Sequence, residues 1–460
     1  MKEISPTDLA KILNTGCEPR ASSAEHRVRG VSIDSRTVRK SDCFFAIAGP
    51  NFDGHNFLAD AFAKGASCAV VSKDVPADKF PDKSILRVKD TVESLGCLAV
   101  WYRRDCSFKV VAITGSVGKT TTRQITRHVL SKKFKTFQSL KNFNNFIGLP
   151  LSILAAPPDT QILVLELATS HPGEIEYLSK IAAPDIALIT NVHPAHLAGF
   201  SCVEKIAQEK LAIAKCLSSN GTLIINADSP PLFAAAGQLN LSFKTFSLSP
   251  LADFPARNFI LGPLAVAFTI DLTNITLPIP GRGALENTLA AWAICSTLGV
   301  SPDDFAAAVK TINPVSMRTE ILQIGSLTVI NDCYNANPAS MRNAIEILSR
   351  LAVAQNRRSV FVCGDMAELG DSEQTLHIDL GRQIADAGVN VLITLGPLSE
   401  LAALAAKQAK PSILTHSFAA PNNLCDNLHN LIQDSDIILV KGSRINKLET
   451  IVEKLKNLLS

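Results

Sequence analysis

No two of the 11 cysteines form a C-x-x-C pair, and their number is odd. Single scattered thiols offer neither the paired ligands of a zinc site nor a dithiol for redox exchange, so reduced cysteines in a cytoplasmic protein are expected. No run approaches the roughly 18 uninterrupted apolar residues of a membrane-spanning helix, which argues against membrane insertion. The opening residues, MKEISPTDLAKIL, place acids and a proline before any apolar stretch, unlike a signal peptide. A charge excess is also lacking. Lys plus Arg number 45 against 42 Asp plus Glu, a net +3, too near balance for nucleic acid or an anionic membrane to be the main partner. Charged residues make up only 19% and hydrophobic ones 47%, which argues against extensive disorder. What remains is a packed chain of 460 residues, about three domains if each takes ~150 residues.

One further absence lies inside the most informative stretch, KVVAITGSVGKTTT at 109–122. A strict phosphate loop, G-x-x-x-x-G-K-[ST], needs glycine where this chain has Ile113. The remainder fits. Val110 to Ile113 read as a buried parallel strand, Gly115 and Gly118 permit a sharp turn, and a helical pattern then runs from Lys119 to about Leu130. A strand, a glycine turn and a helix start aim backbone N–H groups at one point, which suits a phosphate. Lys119 would neutralise phosphate oxygens and the Thr120 hydroxyl would join a Mg²⁺ shell. The plainer alternative is a tight strand-to-helix connection with a surface lysine.

Before this stretch, residues 1–106 read as a small α/β unit. CFFAIAG (43–49) and CAVVS (68–72) are expected strands, FLADAFAKGA (57–66) an amphipathic helix. The polar stretches IDSR (33–36) and NFDGHNF (51–57) are taken to flank the first strand. They offer Ser35, Arg36, Asp53, Gly54 and His55 as loop candidates, Arg36 foremost because a guanidinium grips phosphate with two parallel hydrogen bonds. Ordinary solvated turns are the competing account.

After the glycine turn, KNFNNFIGLP (141–150) gathers Asn142, Asn144 and Asn145 in a polar turn or a ligand loop. ILVLELA (162–168) is a second buried strand with Glu166 inside it. A carboxylate there is paired, protonated or metal-bound, and beside a phosphate loop Mg²⁺ is favoured over a structural ion pair. DIALIT (185–190) leads into NVHPAHLAGF, whose His193 and His196 suit a proton shuttle, a metal pair or a packed loop. The helical stretch 202–217 carries Lys205, Glu209 and Lys210 on what reads as a solvated face, and spacing alone assigns Lys210 no chemistry. The strand GTLIINAD (221–228) precedes a less regular section to about 280. A strong helix follows at 281–295, with Asn287 placed either to read a base edge or as a helix-start amide. From about 313 the strand–loop–helix pattern of a doubly wound α/β domain repeats, and Asp332, Tyr334, Asn335 and Asn337 crowd one strand end while Lys441 to Arg444 crowd another.

The series GSVGKTTT, NFNNFIGLP, LELATSHPGEI, NVHPAHLAGF, NDCYNANPASM, GDMAELG and KGSR resembles the Mur ligase superfamily, which builds the peptidoglycan stem peptide. YNANP and SHPGEI are similar to the branch that adds D-alanyl-D-alanine. The resemblance implies an α/β protein of three domains: a small N-terminal domain for the UDP-sugar peptide (1–106), a central P-loop-like ATPase sheet (107–312) and a C-terminal Rossmann-like doubly wound domain (313–460). It also implies that a shortened phosphate loop is normal in this family, which removes the objection at Ile113. The activity implied is ATP-dependent amide ligation in the cytoplasm. D-alanyl-D-alanine would be joined to UDP-N-acetylmuramoyl-tripeptide through an acyl phosphate, as the last cytoplasmic step of stem-peptide assembly.

By the same resemblance Gly115, Ser116, Val117, Gly118, Lys119, Thr120 and Thr121 cradle ATP, with Asn287, Arg318 and Asp332 contacting the nucleotide. Thr120 and Glu166 would hold one Mg²⁺. His196 and Lys210, the latter as a carbamate formed with CO₂, would help hold a second, which replaces the solvated-face reading. Lys119, Glu166, His196 and Lys210 are thus the implied catalytic set, and Ser35, Arg36, Asn144, Asn145, His171, Tyr334 and Asn335 the substrate-binding one. The rivals are the ligase that adds the third amino acid, whose C-terminal signature is missing, and a nucleotide-binding regulator, which would not need Glu166, His196 and Lys210 together. Two departures stand out. Val117 replaces a more usual Asn, and Ile445, Asn446 and Lys447 replace a Met-Arg-Met-like segment after KGSR. With no coiled coil apparent, a monomer is expected.

Overall fold

Buried β-formers written in short runs between turn residues assemble into two parallel sheets, one mixed sheet and one small antiparallel one. The computed structural model describes residues 1–15, 27–76, 78–195 and 197–459. The first sheet takes its strands in sequence order, Gly30–Ser32, Asp42–Phe45, Cys68–Val71 and Ser84–Arg87, all parallel. The strand expected at 43–49 is therefore the second, not the first, and it is shorter. After Phe45 the chain folds back on itself: Gly54 N–H donates to the Ile47 carbonyl at 2.9 Å, and Ala48 bridges Asp53. IDSR accordingly leaves the first strand and NFDGHNF the second.

The helix Thr91–Cys106, capped by the Asp90 carboxylate, leads into the central sheet. Seven parallel strands lie there in the order Phe254–Pro255, Lys244–Ser247, Thr222–Asn226, Ile186–Ile189, Lys109–Thr114, Ile162–Glu166 and Thr136–Gln138. Because side chains alternate along a strand, Val110 and Ala112 enter one core with Leu149, Ile153 and Leu178. Val111 and Ile113 enter the other, with Ile125 and Leu289. The helices Lys119–Leu130 and Arg282–Thr297 cover that second face together. The section expected to be less regular contains a helix, Pro230–Gln238, two sheet strands, and an antiparallel meander of Arg257–Leu261, Val266–Ile270 and Thr273–Leu277. Its middle strand, VAFTI, buries alternate residues, the period-two pattern of a half-buried strand.

The third sheet runs Glu320–Ile324, Leu327–Asn331, Ile437–Lys441, Ser359–Gly364, Val391–Leu395 and Leu414–Phe418, parallel except for the first strand. Helices cover both of its faces, Pro338–Gln355 with Glu373–Asp386 on one, Pro421–Leu431 with Glu449–Leu459 on the other. Among the described residues no helix is long and apolar enough to cross a membrane.

Polar contacts join the three units. The fully buried Tyr102 donates its hydroxyl to the Ala156 carbonyl at 2.7 Å. Gly283 N–H donates to Asn343 Oδ1 at 2.9 Å, and Arg350 Nη1 donates to the Leu261 carbonyl at 3.0 Å. Replacing Tyr102 with Phe leaves a buried carbonyl without its donor, a loss of about 1–3 kcal/mol. Tyr102→Phe should therefore lower the urea midpoint of the first unfolding transition, and an unchanged midpoint would show that the hydroxyl contributes nothing to docking the first unit.

Candidate active site

The chain leaves the strand Lys109–Thr114 through Gly115 (φ 147°) and Gly118 (φ 88°), backbone regions that favour glycine. Space imposes the same choice. A Cβ on Gly115 would stand 1.8 Å from Thr190 Oγ1, and one on Gly118 2.0 Å from Asn287 Oδ1. The neighbouring strand end ties the turn down: Thr190 Oγ1 and Asn191 Nδ2 donate to the Val117 carbonyl at 2.6 and 3.2 Å, and Asn191 Oδ1 accepts from Val117 N–H at 2.9 Å. Ser116 N–H donates to the Asn191 carbonyl, and Ser116 Oγ accepts from His193 N–H. The N–H of Val117, one of the residues expected to cradle ATP, is thus already bonded to Asn191 Oδ1.

What stays open is the start of the helix Lys119–Leu130, where Gly118 is the N-cap and no side chain caps the first turn. Unspent N–H groups of Lys119, Thr120 and Thr121 there suit an anion. Lys119 Nζ folds back onto the Gly115 and Ser116 carbonyls at 2.6 and 3.4 Å. Burial lowers its pKa, Glu166 opposing and Arg318 adding to that effect. Thr122 Oγ1 donates to Asn287 Oδ1 at 3.3 Å, so Asn287 sits against the loop.

Glu166, at the end of its strand and 3% exposed, is surrounded by donors. Thr120 Oγ1 reaches Oε2 at 2.9 Å, Asn144 Nδ2 reaches Oε1 at 2.9 Å, and Arg123 Nη1 lies 3.2 Å from Oε2. The ion pair that the sequence reading set below Mg²⁺ is therefore present. Among the described residues no three His, Cys, Asp or Glu side chains gather as a metal cage. Mg²⁺ commonly takes only one or two carboxylates and completes its shell with phosphate and water, so the chemistry of the Thr120 hydroxyl and the Glu166 carboxylate fits such an ion, which they would hold. Asn145 Oδ1 accepts from Gly148 N–H at 2.9 Å, just before the helix Gly148–Ala155.

The stretch 202–217 divides into the helix Val203–Leu211 and a 3-10 turn, Ala212–Cys216. Its supposed solvated face is overturned at two positions: Glu209 is 8% and Lys210 2% exposed, while Lys205 is exposed. Packing of this helix against Pro230–Gln238 and Glu174–Ala182 puts that side inside. Burial drives the Lys210 pKa well below the usual lysine range, reinforced by Lys119 and opposed by Glu209. Glu209 accepts from Gly173 and Ile175 N–H groups, both at 2.7 Å, and so holds the loop bearing His171, an exposed residue whose N–H donates to Glu174 at 3.1 Å. His193 is half-buried, its pKa lowered by burial and by Arg342. His196 lies outside the described residues.

From the third unit, the Arg318 guanidinium stacks over the Tyr334 ring at 4.1 Å and acts electrostatically on Lys119 and Arg123. Both Asp332 oxygens are in use, Oδ2 by the buried Lys441 Nζ at 2.5 Å and Oδ1 by Thr319 N–H at 2.9 Å. Asn335 is exposed and its carbonyl accepts from Lys441. Asn337 caps the helix Pro338–Gln355. Asn446, in the segment that departs from the family pattern, donates to the Asp365 and Ser443 carbonyls, while Ile445 is exposed.

In the first unit Ser35 is buried, whereas Arg36 is exposed and chelates Asp34 through Nε and Nη2 at 2.9 and 2.8 Å. Asp53, Gly54 and His55 serve architecture. Asp53 caps a 3-10 turn and pairs with His55 and Lys73, His55 Nε2 accepts from Ser72 N–H, and Gly54 fits where a Cβ would strike backbone at 2.8 Å. Residues missed in the sequence are Thr190, Asn191 and Arg123. Arg123 had a signal: it stands one helical turn beyond Lys119 and Thr120 and shares their face.

Comparison with known proteins places this geometry. Three family profiles match, described as Mur ligase family, catalytic domain (27–103), Mur ligase middle domain (113–295) and Mur ligase, glutamate ligase domain (317–444). A Bacillus subtilis (strain 168) protein named UDP-N-acetylmuramoyl-tripeptide--D-alanyl-D-alanine ligase is 34% identical over 432 residues, 93% of each chain. A crystal structure of MurF from Acinetobacter baumannii superposes with a TM-score of 0.89 at 30% identity, covering 99% of both chains. MurF from Thermotoga maritima, in complex with ADP, gives 0.83 at 27% identity over 96% of this chain and 99% of that one. The chain belongs to the Mur ligase family, and it is an ATP-dependent ligase.

Gly118→Ala forces a left-handed backbone on an L-residue, about 1–2 kcal/mol of strain, and drives its Cβ into Asn287. Calorimetry should find ADP binding weakened by more than roughly tenfold, 1.4 kcal/mol. Wild-type affinity would mean that the loop can open without consequence.

Proposed function

We propose that this chain joins D-alanyl-D-alanine to UDP-N-acetylmuramoyl-tripeptide, with ATP converted to ADP and phosphate, in peptidoglycan synthesis. The observation that carries the reading is its likeness, along nearly its whole length, to ligases of that name. The three units take the roles expected for 1–106, 107–312 and 313–460: holding the UDP-sugar peptide, binding ATP and closing over the nucleotide. The enzyme works in the cytoplasm as a monomer.

The tripeptide carboxylate attacks the γ-phosphorus, the bond to the ADP oxygen breaks, and an acyl phosphate results. The D-alanyl-D-alanine amine then attacks the acyl carbon, phosphate leaves from the tetrahedral intermediate, and the nitrogen gives up a proton. Phosphoryl transfer is mainly a matter of positioning and charge stabilisation. The open helix start, Lys119 and the nearby Arg318 supply the positive field, and Asn287 and Asp332 serve the nucleotide. Ser35, Arg36, Asn144, Asn145, His171, Tyr334 and Asn335 serve the peptide substrates. When bound, Mg²⁺ screens phosphate and carboxylate as they approach. Thr120 and Glu166 would hold one ion, and His196 with Lys210 a second.

Lys210 suits modification by CO₂. A lysine whose pKa burial lowers gives up its proton more readily, and the resulting neutral amine has a lone pair that can attack the CO₂ carbon. One N–H proton is released, and the carbamate anion replaces a disfavoured cation near Lys119.

Purified protein given ATP, Mg²⁺, the UDP-muramoyl tripeptide and D-alanyl-D-alanine should release phosphate only when all are present; folded protein that releases none would sink the reading. Lys210→Ala should abolish turnover, and bicarbonate should not restore it. Stability supplies an independent check. A lowered folded-state pKa means that the unfolded chain binds more protons, so in CO₂-free buffer stability should rise with pH between that lowered value and the ordinary lysine pKa of about 10.4. Lys210→Met should lose that rise, and bicarbonate should raise the thermal midpoint of wild type only.

A further inference from the structure

We propose that Arg123 is a positioning residue that holds Glu166 and the Asn-rich loop in one register, so that the cation side and the peptide side of the site share one guanidinium. This rests on the reading of Glu166 as a cation ligand. Arg123 is 2% exposed and lies under the site on the helix Lys119–Leu130. Its Nη1 lies 3.2 Å from Glu166 Oε2 and donates to the Lys141 carbonyl at 3.0 Å. Lys141 adopts a left-handed backbone, φ 45°, as its carbonyl meets that N–H.

The loop meets Glu166 at further points. Asn144 Nδ2 donates to Oε1 at 2.9 Å, the Asn144 carbonyl accepts from Ala168 N–H at 3.0 Å, and Ser139 Oγ accepts from Glu166 N–H at 3.0 Å. Those contacts hold the backbone and Oε1. Thr120 meets Oε2 from the phosphate loop; Arg123 alone among these groups joins Oε2 to the Asn-rich loop. It does so at some expense, because its buried Nε has no hydrogen-bond partner among the described residues. A buried cation left partly unsatisfied is a poor route to stability, and an apolar chain of similar volume would commonly serve as well or better. Its presence here is explained by orientation of the carboxylate and loop.

The test uses the full chain. ADP affinity is measured calorimetrically with and without Mg²⁺, and KM for the UDP-muramoyl tripeptide is measured separately from kcat, in wild type, Arg123→Met, Arg123→Lys and Glu166→Gln. Arg123→Met should bind ADP without Mg²⁺ within about threefold of wild type, because the helix start is untouched. It should lose roughly 10–100-fold of the Mg²⁺-dependent gain, the usual effect of removing a group that orients a metal ligand, and its tripeptide KM should rise because the Asn-rich loop loses its tie to Oε2. Arg123→Lys should recover part of both. If Glu166→Gln loses the Mg²⁺-dependent gain while Arg123→Met retains it with an unchanged KM, Arg123 is only a packing residue and the proposal is overturned. If Glu166→Gln itself retains the gain, the underlying assignment of Glu166 fails instead. Should Arg123→Met not fold, the decision passes to Arg123→Lys, for which a wild-type Mg²⁺ gain and KM overturn the proposal and a partial loss of both supports it.

Discussion

Two neighbouring parallel strands end at the same level, and the polar residues at the end of one grip the turn at the end of the other. Thr190 and Asn191 occupy both the carbonyl and the N–H of Val117, and Ser116 is tied to the same segment. With its middle residues committed in this way, the turn cannot close over the start of the helix Lys119–Leu130, whose first-turn N–H groups stay directed at one point. Glycines make the arrangement possible because Thr190 and Asn287 occupy the space a side chain would need. The rest of the site is built outward from this clamp.

Charge dominates what surrounds it. Arg318 acts on both Lys119 and Arg123, Lys119 acts on Lys210, and Glu166 is the carboxylate that faces Lys119 and Arg123. Burial strengthens every such interaction because little water screens it. Burial itself, which disfavours the charged amine, is the main cause of the lowered pKa of Lys119 and Lys210, with Arg318 adding to it at Lys119 and Lys119 adding to it at Lys210. An anionic triphosphate entering this field relieves like-charge repulsion as well as making contacts, which agrees with ATP use by a ligase of this family.

Much of the fold was legible from the chain because parallel strands buried on both faces are written as continuous apolar runs. The helix read from Lys119 to Leu130 has those bounds. The meander at 257–277 escaped notice because its edge strand, Arg257–Leu261, is largely exposed and lacks the contrast that marks a half-buried strand. In the site, Glu166 announced itself as a charge inside an apolar run. Glu209 and Lys210 did not, since on a short amphipathic helix the face turned inward depends on which neighbours pack against it. Asp53 and His55 looked like ligand-loop residues and proved to stitch a turn. Sequence shows that a polar residue is at a strand end, and geometry shows whether its atoms are already spent.

Sequence by itself determined the local elements of this protein: strand runs, the glycine turn, helix starts, and an order of motifs specific enough to mark its family. Those follow from periodicity, backbone freedom and propensity, which act over a few residues. Tertiary structure alone decided that Asn191 holds a loop 74 positions away, that Arg123 meets Glu166, that Lys210 is buried, and that Arg318 faces Lys119. Such contacts depend on the order and register in which strands distant in sequence pair. Burial and the resulting loss of solvent screening then convert ordinary polar residues into groups with altered chemistry.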